Sequence, residues 1–155
     1  PGPPAVTSVG AYPPFNSQVA GHGGRLVTVP YAGDREDLAG LLEAVRRENA
    51  PLVYFANPDN PMGSWWDAES VVAFARALPE TCLLVLDEVI DALRGCLPQE
   101  ELCALLDERP AGLEVVLTGH SLPEALERRA DYITHMVKEK HPYDRGVTAR
   151  REIEF

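Results

Sequence analysis

The chain has 155 residues, is 45% hydrophobic and carries a formal charge of −10. That length suits one α/β domain over 1–155 with a substantial core, and the composition argues against disorder. The charge argues against nucleic acid or an anionic membrane surface as partner, because both select a basic face. No apolar run approaches the roughly 20 residues needed to cross a bilayer, and no signal-peptide pattern opens the sequence. The first residue is proline, which suggests processing, a removed tag or a fragment. Three cysteines, Cys82, Cys96 and Cys103, fit a reducing, cytoplasmic setting better than a disulfide framework. A monomer is the expectation.

Residues Pro4–Gly10 read as a first strand, followed by a helix from Pro14 to Gly21 and a glycine-rich stop. Those glycines precede the strand Arg25–Pro30 instead of following one, so they are a poor fit to a dinucleotide loop. Asp34 is the expected N-cap of a helix running to about Asn49, with Leu38, Leu41, Leu42 and Val45 inward. Leu52–Ala56 is a short apolar strand ending in the turn-forming string Asn57-Pro58-Asp59-Asn60-Pro61-Met62-Gly63. Asp67 or Ser70 starts the next helix, and Cys82–Leu86 is the central strand, closing on Asp87 and Glu88.

Beyond it, a helix from Pro98 to Glu108 buries Leu102, Leu105 and Leu106. Leu113–Leu117 is a fifth strand, Pro123–Arg129 a helix, and Tyr132–Val137 a sixth strand at the sheet edge. Alternating strands and helices predict an α/β fold, a three-layer doubly wound parallel sheet. Tyr12, Asn60, Asp87 and His120 then fall on the C-terminal rim, where open α/β sheets bind ligands. The four histidines show no ligand spacing with a cysteine or carboxylate along the chain, so no metal site is expected.

Up to Glu88 the strings VGAYPPFNSQVAG, PLVYFANPDNPMGSWW and CLLVLDE resemble histidinol-phosphate aminotransferase, a pyridoxal-phosphate enzyme of fold type I. The resemblance implies that Tyr12 stacks on the cofactor ring, Asn60 bonds its phenolic oxygen and Asp87 pairs with the pyridinium nitrogen. It also implies an aldimine lysine, whereas Lys138 and Lys140 are the only lysines and lie in the other half. From about Leu84, the strings LVLDE, RPAGLEVVLTG and KHPYDRG resemble the C-terminal half of a P-loop corrinoid adenosyltransferase. This implies roles for Asp87 or Glu88 beside magnesium and ATP, yet no G-x-x-x-x-G-K-[ST] string is present and His120 stands where arginine is usual.

Both resemblances meet at LVLDE. They imply the flavodoxin-like strand order 2-1-3-4-5, and a chimera, engineered or recombined. With lysine and phosphate loop both missing, the expectation is a scaffold and no enzyme. Tyr12, Asn60 and Asp87 are then vestigial cofactor contacts, Asp87 and Glu88 vestigial magnesium-side carboxylates, and no cofactor is held. The alternatives are a residual binder of pyridoxal phosphate or nucleotide at the rim, or a divergent transferase. The plainer reading makes Asn60 a turn residue and Tyr12 a rim residue packing over the first turn. Without pyridinium or magnesium, Asp87 is expected to be a charge without compensation.

Overall fold

A computed structural model describes residues 2–148 except Arg94 and Cys96. Its elements in chain order are β1 (Pro4–Ser8), α1 (Pro13–Gly21), β2 (Arg25–Val29), α2 (Leu38–Glu48), β3 (Leu52–Ala56) and α3 (Ala68–Ala77). There follow β4 (Leu83–Asp87), the short α4 (Val89–Ala92), α5 (Gln99–Glu108), β5 (Glu114–Leu117) and the short α6 (Glu124–Glu127), with a 3-10 turn at Pro142–Arg145. The five strands are parallel in the order β2-β1-β3-β4-β5, as expected. Among the described residues, no helix is long and apolar enough to cross a membrane.

The crossovers explain the layers. The reversal of direction between β2 and β3 sends α1 to one face and α2, α3 and α5 to the other. Leu41 and Val45 of α2, Val71 and Phe74 of α3, and Leu102 and Leu105 of α5 close one continuous core over Val6, Val53, Phe55, Leu84 and Leu86. Phe55 and Phe74 meet edge to face, with ring centroids 6.0 Å apart. The core therefore runs unbroken across the Leu84–Glu88 region.

Three local expectations shift. The N-cap of α2 is Asp37, whose Oδ1 accepts from the Gly40 amide at 3.0 Å; it is not Asp34. A tight turn closed by the Ala32 amide on the Arg35 carbonyl absorbs Asp34 and delays the helix. Gly40 is needed there, because a Cβ would stand 2.8 Å from Val29 Cγ1 and 2.6 Å from Asp37 Oδ2. Strand β4 starts one residue later and takes Asp87 into the ladder, opposite Ala56. The sixth strand is not formed: the sheet ends at β5, and Tyr132–Val137 lies outside it with every residue exposed. Its Tyr-Ile-Thr-His-Met-Val order places apolar and polar side chains on both sides, so neither side offers a face to bury.

Candidate functional site

Asp87 is the last residue of β4, and strand alternation sets it on the same face as Val85 and Tyr54, the face that α1 covers. Tyr54 and Thr118 converge on its carboxylate. The Tyr54 hydroxyl donates to Oδ2 at 2.5 Å, and the Thr118 hydroxyl donates to Oδ1 at 2.5 Å. Burial, and then the bond to Asp87, push the Tyr54 phenol far above its ordinary range, so it stays a donor. Thr118 is reached because β4 and β5 run in register to Leu86 and Leu117, and its amide still bonds the Leu86 carbonyl at 3.2 Å. Asp87 is therefore no charge without compensation; two hydroxyls hold it.

Glu88 follows in left-handed backbone (φ 58°), and its amide donates to Thr118 Oγ1 at 2.9 Å. That turn starts α4 and brings Asp91 beneath the loop after β5. Asp91 Oδ2 accepts from the His120 amide at 2.9 Å and lies 3.0 Å from His120 Nδ1. Gly119 permits this approach, since a Cβ there would stand 2.6 Å from Ile90 Cβ and 2.8 Å from Asp91 Oδ2. Glu88, Asp91 and His120 each present one donor atom within 4.8 Å of the others. Burial, and then the charges of Asp87 and Asp91, raise the Glu88 carboxyl above its usual range.

A second polar group lies at the ends of β1 and β3. Glu36 is 1% exposed, and neither carboxylate oxygen has a hydrogen-bond partner. Burial, and then the charge of Asp59, raise its pKa to about 8, outweighing the nearby Ser8 hydroxyl and Ala56 backbone, which pull it down. Asp59 Oδ2 accepts from the Tyr31 hydroxyl at 2.9 Å. Asn57 is locked to Trp66, its Nδ2 donating to the carbonyl at 3.0 Å and its Oδ1 accepting from the amide at 2.9 Å. The Asn57–Pro58 and Asn60–Pro61 peptides are cis.

Of the residues singled out from sequence, Asp87 and Glu88 come together with Thr118, while Tyr12 and Asn60 do not join them. Tyr12 caps α1 and is exposed, Asn60 is exposed in its turn, and no hydrogen bond links either to Asp87. Lys138 and Lys140 lie in the exposed stretch 131–148, where Lys138 pairs with Asp144 at 2.7 Å. Each oxygen of Asp87 accepts one hydroxyl, from Tyr54 and from Thr118. The donor set Glu88, Asp91 and His120 fits a divalent cation. Sequence reasoning missed Tyr54, Thr118, Asp91 and Glu36. The Thr-Gly-His string after an apolar strand was the one available signal for the Thr118 side.

An open parallel α/β sheet with carboxylates at the C-terminal end of an inner strand, β4, belongs to the class of folds that bind ligands along that rim. The chain belongs to the ATP:corrinoid adenosyltransferase BtuR/CobO/CobP family, whose sequence model matches residues 53–155. It is 36% identical over 89 residues to the corrinoid adenosyltransferase of Pseudomonas aeruginosa, covering 57% of this chain and 44% of that protein. It is also 43% identical over 75 residues to histidinol-phosphate aminotransferase 1 of Nitrosococcus oceani, covering 48% of this chain and 20% of that protein. Among solved structures, histidinol-phosphate aminotransferase from Sinorhizobium meliloti in complex with pyridoxal-5'-phosphate superposes with a TM-score of 0.65 at 65% identity. That match covers 76% of this chain and 31% of that one. The chain thus resembles two families and spans less than half the length of these relatives. The expectation of no enzyme is corrected here: the matched family and the relatives of both kinds are transferases.

Proposed function

We propose that the chain acts as a divergent transferase of the corrinoid adenosyltransferase class, holding the metal-bound phosphate side of a nucleotide against the rim at β4 and β5. The observation that carries this reading is the juxtaposition of the carboxylates Asp87, Glu88 and Asp91 at and just after the end of β4, braced by Thr118. Asp87 is the positioning residue: it fixes Thr118, which in turn receives the Glu88 amide and holds Glu88 in its turn. Glu88 and Asp91 supply negative charge toward a cation, and a magnesium ion bound there would neutralise phosphate charge. The family match over residues 53–155 supports adenosyl transfer as the reaction class.

Incubation of the folded protein with ATP, magnesium and a reduced corrinoid tests the reading through formation of the adenosylated product. Transfer that Glu88→Gln lowers by at least about tenfold is expected, as for loss of a charged group at a reacting centre. Absence of transfer by folded protein would overturn it. We further infer that two α/β pieces were joined in this chain, supported by the relatives of two kinds. One relative alignable at comparable identity across both 1–83 and 89–155 would refute the join.

A further inference from the structure

We infer that Glu88, Asp91 and His120 form a site for one borderline divalent ion of the zinc, cobalt or nickel class, bound by the protein without nucleotide. The three donors come from two segments brought together by the β4–β5 pairing: the turn into α4 and the loop after β5. An imidazole with two carboxylates is a mixed donor set that suits such ions, whereas magnesium prefers oxygen alone. The arrangement is therefore distinct in chemistry from a magnesium–phosphate clamp, and it rests on His120, where the family resemblance implies arginine.

The distances fit. Bonds of about 2.1 Å in tetrahedral geometry place ligand atoms about 3.4 Å apart. His120 Nδ1 and Asp91 Oδ2 already stand 3.0 Å apart, and all three donor atoms lie within 4.8 Å. Glu88 supplies the third donor from within that same 4.8 Å span. Ligation would use Nδ1 of a neutral ring with its proton on Nε2, the ion taking the place of the direct Nδ1–Asp91 contact. Three protein ligands leave a fourth position for water or an oxygen ligand, the pattern of an open, reactive site. The His120 side chain is 79% exposed and the Asp91 side chain 24%, so an ion can enter without unfolding the loop.

The test is calorimetric titration of the full chain with zinc chloride, nucleotide absent, alongside His120→Ala and, as control, His135→Ala in the exposed stretch 131–140. One zinc per chain is expected, unchanged in His135→Ala and weakened at least about tenfold in His120→Ala. Magnesium affinity should be indifferent to His120→Ala. Cobalt(II) should give a visible spectrum of nitrogen and oxygen ligation. Equal zinc affinity in His120→Ala, no binding by wild type, or a thiolate charge-transfer band placing the ion on a cysteine would each overturn the site. If circular dichroism shows His120→Ala misfolded, His120→Gln takes its place under the same criteria. Because no nucleotide is present, the outcome is separable from the transfer assay: zinc bound without transfer defeats only the proposed function, and transfer without His120-dependent zinc defeats only this site.

Discussion

The two faces of the sheet are covered unequally. On one, α2, α3 and α5 bury Val6, Val53, Phe55, Leu84 and Leu86 completely. On the other, α1 reaches Tyr54 through the stacked Phe15, with ring centroids 4.3 Å apart, while β5 shows Glu114 and Val116 to solvent. Asp87 and Tyr54 belong to this second face. The covered face sets stability and the thinly covered one carries the charged rim, so substitutions on the two should separate cleanly in what they cost.

The largest effect should come from the covered face. Leu84→Ala removes a fully buried side chain on the inner strand β4, and Phe74→Ala removes the ring that joins α3 to the core. Each is expected to lose about 2–5 kcal/mol in urea denaturation, the transfer and cavity cost of large-to-small core changes. A loss under about 1 kcal/mol for both would mean that this core does not carry the fold.

Next comes Glu36, a carboxyl sealed within the covered side. The unfolded chain releases its proton near the ordinary 4.5, while the folded protein holds it to about 8. Its contribution to stability is thus fully present below 4.5, falls as pH rises from 4.5 to 8, and is absent above. Glu36→Gln should remove that slope, matching wild type near pH 4.5 and exceeding it by a few kcal/mol above pH 8. Taking the difference between the two proteins isolates Glu36 from Glu48, Asp67 and Asp107, whose lowered pKa values act in the opposite sense in acid. Parallel stability curves would sink the assignment.

The fold was largely legible because its signals are local. Apolar runs at Leu52–Ala56 and Leu83–Leu86, helical spacing from Leu38 to Val45, and the Asp67 cap each declare an element within a few residues. Two carboxylates closing an apolar run marked the end of β4 equally well. What stayed hidden depends on pairing between distant segments. His120 lies 29 residues from Asp91, and only the register of β4 with β5 makes them neighbours, so ligand spacing along the chain said nothing. Glu36 sits in the charged string Asp34-Arg35-Glu36-Asp37, which reads as surface; the Trp66 indole on its carbonyl and the fold of the Asn57 turn enclose it instead. Tyr132–Val137 misled for the opposite reason: strand-forming residues are present, but no consistent face accompanies them.

A smaller effect is expected at Asp87. Its two hydroxyl donors replace the compensation that its surroundings in sequence failed to show. Asn in its place keeps one acceptor, but its amide group points a donor at one of the two hydroxyls. Thr118 Oγ1 already accepts from the Glu88 amide, so it is poorly placed to accept again. Hydrogen bonds to a charged acceptor are worth roughly twice neutral ones, and Asp87→Asn should cost about 1–2 kcal/mol. Equal or greater stability of the Asn protein would show that repulsion among Asp87, Glu88 and Asp91 outweighs the hydroxyl bonds.

The smallest effect should fall on the exposed side of β5. Val116 is 42% exposed and points away from the core to which its neighbours Val115 and Leu117 contribute. Val116→Thr preserves the β-branched shape that suits a strand and exchanges one methyl for a hydroxyl that water can satisfy. The change should lie within about 0.5 kcal/mol of wild type, the range of ordinary surface substitutions. The same exchange at Val115 is a useful counterpart, because there the hydroxyl would turn toward the core and lose its solvent. The pair isolates strand preference from burial, since both positions share one strand and one chemistry. A destabilisation by Val116→Thr as large as that by Val115→Thr would mean that the thinly covered face is buried in solution, and the inequality between the faces would fail.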